Sequence, residues 1–191
     1  ETIFLMAEGQ FRRNQRPEDT GLATTLQLGA WSHLGEFEDR RFAIDGSLLA
    51  DPLGAGVAAR RRGNWGFYAV IDQQLYRPRG GDAESGISVF SRVSVSPSAR
   101  NLVDFFAEGG IVFGGLVPGR PADRFGASFM YSRFSDAVRA FDQDVIAFTG
   151  EPGVIRDFEA NLELTYVAQV IPGWTVQPNF QYIWHPSGDS S

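Results

Sequence analysis

Apolar and polar residues alternate along most of this chain. In "GLATTLQLGAW", Leu22, Thr24, Leu26, Leu28 and Ala30 fall on one face, and Ala23, Thr25, Gln27, Gly29 and Trp31 on the other. That is the period of a β-strand. "DFEANLELTYVAQV" divides more sharply: Phe158, Ala160, Leu162, Leu164, Tyr166, Ala168 and Val170 oppose Glu159, Asn161, Glu163, Thr165, Val167 and Gln169. The same reading holds for "ISVFSRVSV", "VDFFAEGGIVFGG" and "RFGASFMYS". Helical periodicity is hard to find. About eight such segments occur, each near the nine to eleven residues with which a tilted strand crosses a bilayer.

The connections sort into two sides. "VPGRPAD" (Val117 to Asp123) and "IPGW" (Ile171 to Trp174) are short, whereas Gly35 to Gly63 and Ser135 to Arg156 are long. Counting strands places both long connections at one end and both short ones at the other, as in outer-membrane barrels with short periplasmic turns and longer external loops. The tight turn "SPSARN" falls on the external side and is the exception in length. Asp39 to Pro52, "DRRFAIDGSLLADP", is too apolar for a purely solvated excursion. It is expected to fold inward and narrow a pore, or to pack against a neighbouring protomer, which leaves a homo-oligomer open.

Composition narrows the choices. With 22 Gly and 16 Phe among 191 residues, strands and turns are favoured over helices. The absence of Cys excludes disulfides and thiolate metal sites. All 17 basic residues are Arg, with no basic stripe, and the net charge is −6, so nucleic acid is not an expected partner. No run of about 18 apolar residues exists, which excludes a spanning helix and leaves a spanning barrel open.

A soluble β-sandwich also alternates, but its outward face should be charged and its inward face bulky. Here the polar face is rich in Gly, Ser, Gln and isolated charges. The apolar face carries aromatics near strand ends, with Trp65, Tyr131, Trp174, Tyr182 and Trp184 suited to interfacial girdles. In "WGFYAVIDQQLYR", Trp65, Phe67, Ala69 and Ile71 then face lipid, and Tyr68, Val70, Asp72 and Gln74 face water. Gln73 falls on the lipid side near the periplasmic rim, where headgroups would hydrate it.

"RGNWGFYAVIDQQLYR", "GISVFSRVSVSPSARN", "GLVPGRPADRFGASF" and "ELTYVAQVIPGWTVQPNFQYIWHPSG" resemble, in this order, the carbohydrate-selective porins of the OprB type, over about Leu22 to Gly188. The resemblance implies an all-β, antiparallel transmembrane β-barrel of about sixteen strands in the bacterial outer membrane, through which sugars diffuse without chemistry or a cofactor. Against that pattern, residues 1–191 are expected to be about eight strands of a single barrel domain, lacking the N-terminal half and the closing strand. The expected partners are carbohydrate solutes, outer-membrane lipid and lipopolysaccharide. A general porin, a barrel enzyme acting on lipid or glycan, and a soluble sandwich binding module are the alternatives.

Sugar transit needs paired donors and acceptors for hydroxyl groups, apolar surface for ring faces, and contacts weak enough to allow exit. Alternation selects Asp72, Gln74, Arg92, Asp104, Glu108, Arg124, Glu159, Glu163, Gln177 and Gln181 as hydrogen-bonding candidates, and Tyr68, Phe90 and Phe106 as stacking candidates. For catalysis, Glu159 with Glu163 or Asp104 with Glu108 lie about 13 Å apart on a strand. A glycosidase pair needs about 5 to 9.5 Å. His33 and His185 are expected at the external rim, with no metal-ligand spacing around them. The run Arg60, Arg61, Arg62 could meet lipopolysaccharide phosphates, or be solvated.

Overall fold

A computed structural model describes residues 2–16, 18–81 and 83–189. The strands are β1 (Phe4–Arg13), β2 (Thr24–Ala43), β3 (Ala58–Tyr76), β4 (Gly86–Val95), β5 (Val103–Gly114), β6 (Arg124–Phe134), β7 (Phe158–Ile171), β8 (Trp174–Val176) and β9 (Asn179–Trp184). Each pairs antiparallel with its sequence neighbour, except that β8 and β9 both pair with β7. These last two are one strand interrupted at Pro178, which has no N–H for a ladder. Its carbonyl still accepts from the Tyr166 N–H at 3.1 Å, so the pairing bridges the gap. The result is a meander of eight passes, β1 not being among the segments named above.

Register fixes the two faces across the whole sheet. One row joins Asp72, Phe90, Gly110, Ser128, Glu163 and Gln181; the row beside it joins Ile71, Ser91, Gly109, Phe129, Leu162 and Tyr182. No second layer among the described residues covers the face carrying the second row. Among the described residues the buried apolar side chains are only Ala23, Ala43, Phe134, Val138 and Ala160, whereas Phe67, Phe129, Leu164 and Phe180 stand exposed. A sandwich would cover such a face with a second sheet about 10 Å away. A single layer with an uncovered apolar face is the wall of a barrel whose outer solvent is lipid. Near the external end that face carries an aromatic cluster, in which Tyr131 stacks on Phe158 at 5.3 Å and Trp184 meets Tyr182 at 4.6 Å. Gln73, on the same face at the other end, bonds to the Thr24 hydroxyl at 2.8 Å and to the Gln74 carbonyl at 2.6 Å, so the protein itself supplies its partners.

The external end differs from the alternation reading in one element. Asp136–Thr149 is a helix, α1, inside the connection expected to be a long loop. Ser135 caps it by accepting from the Val138 N–H, and Gly150, at φ 70°, ends it with its own N–H on the Ile146 carbonyl. The Gly35–Gly63 connection is mostly strand, since β2 and β3 run on for 20 and 19 residues. Asp39–Pro52 is therefore the end of β2 and its turn, not a free loop. The hairpin leans over the β4–β5 turn, where the Arg40 N–H donates to the Ala99 carbonyl at 2.9 Å and Asn64 and Asn101 exchange amide bonds at 2.9 and 3.0 Å. The hairpin thus occupies the space above the short turn "SPSARN". From there Arg41 reaches α1 and grips Asp144 bidentately at 2.7 and 3.0 Å. Within the arginine run, Arg60 pairs with Glu36 at 3.5 Å and Arg61 with buried Asp39.

At the periplasmic end the β5–β6 turn closes on Asp123, whose carboxylate is buried. It accepts from the Arg120 guanidinium, the Tyr166 hydroxyl and, at 3.0 Å, the Gln169 N–H. Chiefly the Arg120 bond, opposed by burial and aided by Tyr166 and Gln169, lowers the Asp123 pKa to about 2. The turn is thereby tied to β7.

Candidate functional site: the polar face of the wall

The inner face is built by the same alternation that bares the outer one. Its rows join Tyr68, Ser94, Phe106, Ser132 and Glu159; then Val70, Arg92, Glu108, Met130 and Asn161; then the row of Asp72 and Glu163 given above. Arg92 reaches Glu108 across the strand pair at 3.3 Å, and its guanidinium lies 5.3 Å from the centre of the Phe90 ring. Phe90 itself lies over Gly110, where an added Cβ would come within 2.7 Å of the ring. Glu163 accepts from Gln181 at 3.0 Å and from Thr165 at 2.8 Å. Glu159 accepts from the Ser187 N–H at 2.7 Å, which draws the 3-10 turn Pro186–Gly188 onto the external end of the wall.

Five of the expected residues, Phe90, Glu108, Arg124, Glu163 and Gln177, line one open hollow of about 290 Å³ together with Ser128. Arg124 also pairs with Glu84 at the periplasmic mouth. Asp72 is exposed beside a smaller hollow that it shares with Thr25 and Ser88. Phe106, half-buried, sits between Ser94 and Ser132 in its row.

Two positions depart from the alternation reading. Gln74 is buried, 2% exposed. Its amide donates to the Ser85 carbonyl at 2.7 Å and accepts from the Ala23 N–H at 3.1 Å and Arg77 at 2.8 Å, so it braces two periplasmic turns and is withheld from open water. Asp104 is buried at the external end. A register shift between Val103 and Phe105 takes it out of the alternating row, and Arg133 of β6 donates to it at 3.0 Å. Alternation reports a side, but not how deep a side chain near a strand end sinks.

Glu8 is among the polar residues of the inner face that the alternation reading does not name. It accepts from the Tyr68 hydroxyl at 2.6 Å and from Gln27 at 3.3 Å, joining β1, β2 and β3 on the inner face. The signal was present in "FLMAEGQFRR", where Leu5, Ala7 and Phe11 alternate with Glu8, Gln10 and Arg12. The two histidines stand apart: His33 accepts from the Gly35 N–H at 3.1 Å, and His185 packs on Phe158 at 4.3 Å. Among the described residues no cluster of three His, Asp or Glu is placed to hold a metal ion.

A one-layer antiparallel meander, apolar and uncovered outside, polar and mixed in charge inside, is the wall of an outer-membrane β-barrel of the porin class. Residues 5–191 match the model of the carbohydrate-selective porin, OprB family, and the chain belongs to that family. It is 30% identical to Porin B of Pseudomonas aeruginosa over 172 residues, which are 85% of this chain and 37% of that one. The high-pH structure of Pseudomonas putida OprB superposes with a TM-score of 0.87 at 26% identity, covering 97% of this chain and 44% of its own. The chain thus spans less than half the length of these relatives.

Proposed function

We propose that the protein is a channel for passive diffusion of carbohydrates, monosaccharides such as glucose among them, into the periplasm. Residues 4–184 form one arc of the barrel, of about sixteen strands in all. β1 and β9 each pair on one side only, and lipid does not tolerate open strand edges, so further strands complete the ring.

The carrying observation is the hollow lined by Phe90, Glu108, Glu163 and Arg124, with Arg92 paired to Glu108 beside the Phe90 ring. Both signs of charge and an aromatic surface are offered together. A single-sign field would favour ions, whereas this mixture suits a neutral ring with hydroxyl edges and apolar faces. Transit of this kind makes and breaks no covalent bond, so the inner face needs only binding groups.

Proteoliposomes carrying the full-length protein test the reading. A monosaccharide should enter faster than an amino acid or organic acid of similar size, and added sugar should lower the ion current. Entry ordered by size alone, with a current indifferent to sugar, would make the channel a general porin.

A further inference from the structure

Beyond the hollow around Phe90, a second set of rings occupies the inner face, on β1, β2 and β3. Trp31 and Phe4 stack with centroids 6.1 Å apart and planes at 23°. His33 lies 6.2 Å from Phe4, and Phe37 meets His33 edge-on at 5.1 Å. Along β2, Trp31 and His33 are two positions apart, about 7 Å, and Phe37 follows beyond Gly35 and a register shift. At the inner end, Tyr68 is held by its hydrogen bond to Glu8.

Glycines lay two of these rings flat. A Cβ on Gly66 would meet Trp31 at 2.6 Å, and one on Gly29 would collide with the Tyr68 ring. Each ring therefore has one face against the backbone and the other turned to the interior. Among the described residues no second layer covers them, and Phe4 is 54% exposed. Nor do they belong to the lipid-facing girdle. Register puts Phe4, Trp31 and His33 in the rows next to Glu8, Gly29 and Tyr68, on the face of Arg92 and Asp72.

We infer that Phe4, Trp31, His33 and Phe37, ending at Tyr68 and Glu8, form an aromatic file that receives sugar rings at the external end and passes them towards the Arg92–Glu108 pair. This rests on the carbohydrate reading above and adds where the solute first binds. A pyranose presents C–H groups on its faces and hydroxyls at its edge. Flat rings take the faces, and Glu8, with Gln10 at 2.5 Å and Gln27 at 3.3 Å, takes the edge. Repeated weak contacts leave the sugar free to move on.

The test uses the full-length protein in planar bilayers, with glucose and a glucose oligomer as probes of current block. Trp31→Ala should raise the half-blocking sugar concentration about three- to tenfold, Phe4→Ala should raise it less, and Trp31→Phe should restore most of the block. Open-pore conductance should stay near wild type in all three. Phe4 covers no glycine, so Phe4→Ala keeps the test decisive where Trp31→Ala does not fold. If wild type is blocked by sugar and the folded variants are blocked at the same concentration, the file is not a binding track. A wild-type channel that no sugar blocks removes the carbohydrate reading, and this inference with it.

Discussion

The two faces of this wall are made by the same strands and obey different rules. The outer face selects by polarity: Leu162, Leu164, Phe129 and Tyr182 need no partner because lipid is as apolar as they are. The inner face selects by shape and pairing. Phe90 fits over Gly110, Tyr68 over Gly29, and Glu108, Glu163 and Glu8 each have a named partner. A residue on the outside is tolerated for what it is, whereas one on the inside is tolerated for what stands opposite it.

The largest expected effect tests polarity. Leu164→Arg should destabilise the barrel by about 2 to 4 kcal/mol if the position lies near mid-bilayer, whereas Asn161→Arg, on the inner face of the same strand, should cost far less. Urea titration of the folded fraction in lipid vesicles compares them, and equal losses would erase the distinction between the faces.

Shape is tested by two adjacent glycines. Gly110→Ala would press its methyl against the Phe90 ring and the Ala127 carbonyl, both at 2.7 Å, and should cost about 1 to 3 kcal/mol. Gly109, pointing outward, would meet only the Phe90 carbonyl at 3.4 Å, so Gly109→Ala should be close to neutral. The same titration read on both variants would reverse the order found for charge if shape governs the inside.

At the periplasmic turn, pH offers a third test. The folded Asp123 pKa of about 2 lies below the ordinary aspartate value near 4. Its contribution to stability is therefore complete above about pH 4 and declines as pH falls through 2. The unfolding midpoint of wild type should drop over that window more than that of Asp123→Asn; parallel curves would show that the carboxylate is not held as described.

The smallest effect is expected for the exposed inner pair. Arg92→Ala should change stability by less than about 1 kcal/mol, yet shift the half-blocking sugar concentration if Arg92 lies at the constriction. A large stability loss with unchanged block would make the pair a structural brace.

Much of this was legible beforehand because a strand puts successive side chains on opposite faces whatever surrounds it. Thus Glu159 and Glu163 could be set against Leu162 and Leu164 before any partner was known, and the register later placed all four accordingly. α1 is absent from the alternation reading although Ser135 and Gly150 mark its ends and Val138, Phe141, Val145 and Phe148 recur at helical spacing, with Asp142 and Asp144 standing among them. Those carboxylates are bound by Arg156, at 2.6 Å in its shortest contact, and by Arg41. The period of the helix is local, whereas the arginines that neutralise its carboxylates come from elsewhere in the chain and only the fold brings them there.

The sequence by itself determined the side of the wall on which most residues stand and the end at which the chain turns, since both follow from local geometry repeated strand by strand. Only the tertiary structure decided depth and partnership. Gln74 and Asp104 sink where turns and a bulge close over them, and Glu8 finds Tyr68 sixty residues away. Trp31 lies flat only because register brings Gly66 opposite it. Such pairings depend on which strand lies beside which and in what register, and those are properties of the assembled sheet.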